Sequence, residues 1–214
     1  MTAPAARTAS CPNCGGGIRF RWAQAVQTTC PYCRSVLVRR DLDLERVGAQ
    51  ADFPHTGSPI QIGVTGMWRE RAFTVVGRIA YGWERGRWNE WHCRMSDDSS
   101  AWLSDAQVEY AMTRQVEGSG QRIDIASLRV GDSVGVGEGM FEVSTLTRAI
   151  YLGTEGELPF MSWTRDECLF IDLQNGEGGL ATIDTTEAPP TVYAGEYLTF
   201  EALAFRGLRE FEGW

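Results

Sequence analysis

Four cysteines carry the clearest chemistry in this chain. Cys11-Pro12-Asn13-Cys14 is followed, after fifteen residues, by Cys30-Pro31-Tyr32-Cys33, a C-x2-C-x15-C-x2-C pattern. That spacing lies inside the window of four-thiolate zinc sites. Two residues between paired cysteines allow a tight turn that aims both sulfurs at one ion, about 2.3 Å away. Gly15, Gly16 and Gly17 follow the first pair, where backbone must curl around the metal and amides can face the thiolates. The expected cofactor is one structural Zn2+ held by Cys11, Cys14, Cys30 and Cys33, since four thiolates close the coordination sphere against a reactive water. A disulfide needs an oxidising compartment, to which nothing addresses the chain. A thioredoxin-like pair would accompany a βαβ pattern, which is absent. An iron–sulfur cluster also uses four cysteines, but paired CPxC knuckles flanking short strands favour zinc. So short a segment has little core, and the metal should supply most of its folding free energy. Cys11→Ser is therefore expected to unfold residues 11–40 and leave the rest folded.

The rest of the reactive inventory is thin. The chain has two histidines, His55 and His92, and lacks HExxH, nucleophile-elbow and phosphate-loop motifs. Gly131, Gly135, Gly137 and Gly139 read as hairpin glycines, because no lysine and no helical pattern follow them. His92 and Cys93 are adjacent and so point to opposite faces of a strand. His92 could instead meet Cys168, but Cys93 and Cys168 fit better as small buried hydrophobes. Asp172 and Asp184 could do acid–base work as a pair, although hydrogen bonding in turns is the commoner role of strand-end acids. No catalytic residue is assigned. The body's most distinctive feature is aromatic: Trp68, Tyr81, Trp83, Trp88, Trp91 and Trp102 fall in one stretch with Arg85, Arg87 and Arg94. Trp and Arg are favoured interface anchors, so Trp83, Arg85, Arg87, Trp88 and Trp91 form the expected partner-binding set. Trp88 and Trp91, three apart, should take opposite faces, one core and one surface.

These residues must be positioned by strands. Ile18, Phe20 and Trp22 alternate with Arg19 and Arg21, and Ser35–Val38 reads as a returning strand. The expected organisation is a disordered lead at 1–10, a zinc ribbon at 11–40 and a linker at 41–58. Two tandem antiparallel β-barrel or sandwich units, at 59–117 and 124–210, complete a mainly β chain. Strands are expected at Ala72–Ile79, Trp88–Met95, Ala101–Ser104, Phe141–Tyr151, Cys168–Leu173, Leu180–Asp184 and Thr191–Phe200, with a loose helical reading only for Phe200–Phe211. A weak repeat at an offset of 68 residues aligns Ile60 with Leu128, Phe73 with Phe141, Val75 with Val143 and Leu103 with Ile171.

Charge limits the partners. Of 20 basic residues, all Arg, six stand in residues 1–40 without a single acid, whereas residues 41–214 hold all 28 acids and carry a balance of −14. An acidic body disfavours nucleic acid and anionic lipid. The ribbon alone could bind nucleic acid, through Arg19, Arg21, Arg34, Arg39 and Arg40, with Phe20, Trp22 and Tyr32 for stacking. No apolar run reaches the roughly 20 residues of a bilayer span, and the first ten residues lack a signal-peptide core. The cytoplasm is the expected location.

The run Gly66 to Tyr81, Trp88-Asn89-Glu90-Trp91, Trp102-Leu103-Ser104, Val130-Gly131-Asp132, Gly156-Glu157-Leu158-Pro159, Ile171-Asp172-Leu173, Ala181-Thr182-Ile183-Asp184 and Val192-Tyr193-Ala194-Gly195 together resemble a known bacterial family. It is the domain-of-unknown-function family numbered 4178, often present in two copies behind a CPxC zinc ribbon. The resemblance spans roughly residues 11–210 and brings no established reaction. It implies a setting near membrane-stress or polyamine-linked systems. The leading expectation is a non-enzymatic binding or adaptor protein with another protein as partner. Nucleic-acid binding through the ribbon, or an unrecognised enzyme using His92, Asp172 or Asp184, are the alternatives.

Overall fold

Alternation of apolar and polar residues builds fifteen β-strands, and no α-helix forms among the described residues. The structure, a computed structural model, describes residues 8–40, 43–49, 56–120, 123–161 and 167–211. No helix among them is long and apolar enough to cross a membrane. The N-terminal region holds β1 (Thr8–Ser10), β2 (Gly17–Arg19), β3 (Gln27–Thr29), β4 (Ser35–Arg40) and β5 (Asp43–Ala49). The first half of the body holds β6 (Thr65–Trp68), β7 (Arg71–Trp83), β8 (Gly86–Met95), β9 (Ser100–Ala106) and β10 (Glu109–Gln115). The second holds β11 (Ser133–Val136), β12 (Gly139–Leu158), β13 (Glu167–Gln174), β14 (Gly179–Asp184) and β15 (Thr191–Leu198).

Sequential antiparallel hairpins give each half its sheet, and two further pairings join the halves. β7 pairs with β12, and β10 pairs with β15. The order β7-β8-β9-β10-β15-β14-β13-β12 therefore returns to β7 as a closed antiparallel ring. Closure removes the sheet edges that would otherwise template association. β6 and β11 extend the ring beside β7 and β12, while β3, β4 and β5 continue the sheet from the far end of β12.

The two halves repeat one another in register. Gly66 faces Phe73 as Val134 faces Phe141, and a bulge follows Val75 as another follows Val143. The turn before each repeats as well: Gly63 N–H donates to Val75 O at 2.8 Å, and Gly131 N–H to Val143 O at 2.9 Å. From β8 onward the matching positions lie 80 rather than 68 apart, since Trp91 pairs with Leu103 as Ile171 pairs with Ile183. Leu103 thus corresponds to Ile183 and not, as the ungapped offset suggested, to Ile171. The β12–β13 hairpin is twelve residues longer than the β7–β8 hairpin, and an ungapped alignment cannot absorb that insertion.

Each half has its own core. Phe73, Val75, Trp91, Cys93, Ala101, Leu103 and Met112 pack in the first; Val143, Ile171, Leu173, Ala181, Ile183 and Val192 pack in the second. A third cluster lies between them, with Ile79, Tyr81 and Trp102 from one half and Ala149, Tyr151 and Phe170 from the other. The two units therefore share one sheet, with a core in each and a third cluster where they meet.

Three other expectations change. Thr8–Ser10, placed in the disordered lead, pairs with β2, and Ala9 packs on the ribbon core. Asp43–Ala49, placed in the linker, pairs with β4, with Leu44 on the same core. Residues 1–7, 41–42 and 50–55, including His55, lie outside the described residues. Phe200–Phe211 forms turns and a β-bridge rather than a helix. Its backbone serves β6 instead, as Met67 N–H donates to Leu203 O and Arg206 N–H to Thr65 O.

Ring closure brings backbones together where side chains cannot fit. A Cβ at Gly77 would collide with the Glu157 carbonyl at one seam, and a Cβ at Gly195 with the Met112 carbonyl at the other. Backbone, unlike a flexible side chain, cannot move aside. Gly195→Ala should therefore cost about 3 kcal/mol or more, read as a lowered midpoint in urea unfolding; an unchanged midpoint would show that this seam does not constrain the fold.

Candidate functional site

The four predicted ligands converge. The Sγ atoms of Cys11, Cys14, Cys30 and Cys33 all lie within 4.8 Å of one another, with Cys11–Cys33 at 3.7 Å and Cys14–Cys30 at 3.8 Å. Disulfide sulfurs would stand about 2.05 Å apart, so these are four free thiols. The knuckles are near copies. Cys11 N–H donates to Gly16 O and Gly15 N–H to Cys11 O; Cys30 N–H donates to Ser35 O and Arg34 N–H to Cys30 O. Arg34, at φ 56°, takes the left-handed place that Gly15 occupies at φ 73°. Hydrogen bonds from Asn13 and Ser35 hold the Cys33 thiol down at about 5, favouring its thiolate. The cluster could hold one metal ion.

This metal-site region is welded to the body. Glu157 near the end of β12 is buried, and its carboxylate accepts the backbone N–H of Arg21 at 2.6 Å and of Trp22 at 2.7 Å. Alongside it, Glu157 and Leu158 pair with Thr28 and Gln27 of β3. Trp22 is buried, donates its indole N–H to Asp98 O at 3.0 Å, and sets its ring 4.8 Å from that of His92. His92 Nδ1 lies 2.8 Å from the Glu157 carbonyl, and Nε2 lies 2.9 Å from Ser100 Oγ. A carbonyl only accepts, so Nδ1 carries the proton and Nε2 accepts from Ser100. Burial lowers the His92 pKa to about 4. The ribbon is therefore not an independent module, because Trp22 packs against His92 of the body and β3 continues the body's sheet.

A cavity of about 1140 Å3 opens between the halves. Trp83, Arg85, Arg87 and Trp88, from the β7–β8 hairpin, line it together with the exposed apolar residues Leu146, Ile150 and Tyr197. Deeper in, Glu90 accepts from Trp88 Nε1 at 3.0 Å and from Ser104 Oγ at 2.8 Å. Asp172 accepts from Thr182 at 2.8 Å and Thr145 at 3.1 Å. Glu90 and Asp172 are half-buried, and what remains uncovered faces the cavity. Burial, with the Asp172 charge adding to it, pushes Glu90 up to about 7; burial also raises Asp172.

The remaining sequence expectations divide. Trp91 is fully buried in the first core, donating to Asp105 at 3.3 Å, and leaves the partner-binding set; Trp88 takes the cavity face. Phe20 and Trp22 are buried and cannot stack on bases, leaving Tyr32 exposed in the ribbon. Arg39 donates to Ala23 O and lies over Phe20, Arg40 pairs with Glu45, and Arg94 donates to Arg21 O. Arg19 and Arg34 are exposed. Cys93 is buried, and Cys168 donates to Ala149 O rather than meeting His92. Asp184 bonds Thr186 and is not part of the cavity lining. Of the other acids lining the cavity, Glu84, Glu109 and Glu167 are exposed, and the half-buried one beside Asp172 is Glu90, which sequence reading missed. Its one signal is period 2: Glu90 shares a strand face with Trp88.

Two outcomes follow. Cys11→Ser should lower the Tm of the whole chain, followed through near-UV tryptophan signals, instead of melting residues 11–40 alone. The His92 effect has a definite sign. Its folded pKa lies below its ordinary value of 6.5, so its contribution is full above pH 6.5 and is lost as pH falls toward about 4. That contribution is on the order of 3 kcal/mol, and His92→Asn should flatten stability against pH in that window.

No curated protein and no solved structure matches this chain. The family model described as a domain of unknown function (DUF4178) matches residues 61–200, which covers the closed ring from the start of β6 to the end of β15. The chain belongs to that family.

Proposed function

We propose that this chain is a non-enzymatic binding protein, an adaptor that engages another protein at the cavity mouth while a zinc ribbon braces the C-terminal end of β12. One observation carries the reading. Trp83, Arg85, Arg87 and Trp88 gather at a single opening beside exposed Leu146, Ile150 and Tyr197, and solvent-facing apolar groups edged by charge are typical of interaction sites. Zinc is favoured as the metal because a tetrahedron with bonds of about 2.3 Å has edges of about 3.8 Å, close to the 3.7 and 3.8 Å sulfur separations. The repeated registers, bulges and turn hydrogen bonds support descent of the two halves from one duplicated unit.

The test compares wild type with Trp83→Ala/Arg87→Glu in a pull-down from the native host, with metal content measured on the same sample. A stoichiometric protein partner lost in the double variant, with one zinc per chain in both, is the expected result. Absence of such a partner from the wild-type sample would sink the adaptor reading.

A further inference from the structure

We propose that the cavity between the halves is a receptor for an alkylammonium group, held by the carboxylates of Glu90 and Asp172 beside the rings of Trp88 and Phe170. Both acids face the cavity, yet the hydrogen bonds they accept come from neutral donors: Ser104 and Trp88 for Glu90, Thr145 and Thr182 for Asp172. None of the ion pairs among the described residues engages either acid. Enclosed carboxylates without a counter-charge are costly, and a cation entering the cavity would relieve that cost. Aromatic faces attract cations, and Trp88 and Phe170 line the same space. The volume of about 1140 Å3 is ample for a ligand site.

The surroundings select the kind of cation. A calcium or magnesium ion wants six or more oxygen ligands, whereas the nearby hydroxyls already donate to the carboxylates and the other walls include Phe170 and Leu180. An ammonium head on an alkyl chain matches both surfaces. The remaining charged groups around the cavity, Glu84, Arg85, Arg87, Glu109, Arg148 and Glu167, are exposed. Arg148 is paired with Glu167 at 3.1 Å.

Such a group could belong to a free amine or to a lysine side chain of a protein partner; only the second source rests on the adaptor reading. The metal-loaded full chain would be titrated by calorimetry at pH 8 with n-hexylamine, with 1-hexanol, and with an acetylated, amidated Gly-Gly-Lys-Gly-Gly peptide. We expect an ammonium ligand to bind at least about tenfold more tightly than the alcohol, the worth of one charge-assisted hydrogen bond. Glu90→Gln and Asp172→Asn, which keep shape, should each weaken binding by a similar factor. Lowering the pH from 8 to 6 should weaken it further as Glu90 takes up a proton. Binding of hexylamine alone assigns a small-molecule ligand, and binding of the peptide assigns a lysine. Failure of both to bind, binding equal to that of the alcohol, or indifference to both substitutions would overturn the proposal. The alcohol and pH comparisons need only wild-type protein, so they decide even if a variant fails to fold. A partner that still co-purifies when no ammonium binds would remove this proposal and leave the adaptor reading standing.

Discussion

A β-strand has two hydrogen-bonding edges, and along β12 those edges serve four different strands. β11 takes its start, β13 its first half, β7 the stretch from Ile150 to Gly156, and β3 its last two residues. Every backbone amide buried along β12 must find a partner somewhere, so the register of this one strand links both halves and the metal-site region. The strand is twenty residues long, well beyond the usual five or six. Its bulges after Val143 and Tyr151 let so long a strand bend through those successive pairings.

Glu157 shows what the arrangement achieves at one end. Its side chain caps the amides of Arg21 and Trp22, and its carbonyl receives His92. Burial works to raise its pKa while the two amide donors work to lower it. One residue thereby ties the cysteine knuckles, through Phe20 and Trp22, to the first half of the ring. The region around the four thiols is thereby coupled to the body.

Along the middle of β12 the same closure leaves space. The halves meet at two backbone seams, and between them aromatic rings fill only part of the interior. Matched positions are alike in the cores but differ on the face that looks across: Glu90 stands where the second half has Phe170, His92 where it has Asp172, and Trp102 where it has Thr182. A face that packed against an identical copy of itself would have no reason to diverge so. The cavity and its acids lie on that divergent face.

Local pattern determined a good deal. The C-x2-C spacing determined the cluster of four thiols, because two knuckles need only near neighbours to aim their sulfurs. Alternation located nearly every strand of the body, since burial on one face imposes period 2 whatever the partner strand. The β7–β8 hairpin with Trp83, Arg85, Arg87 and Trp88 was legible for the same reason. Tertiary structure decided which strands pair across the chain, and with it everything that depends on pairing. Alternation leaves a strand's neighbour open. Nothing near Trp91 in sequence tells that its face is the buried one, and nothing near Glu90 tells that Asp172, from the other half, lines the same space. Likewise Phe20 and Trp22 looked available for stacking, but both are buried in the cluster around Cys11 and Cys30, and Trp22 also meets His92 of the body. Contacts made between distant residues depend on how the ring closes, and closure is a property of the whole chain.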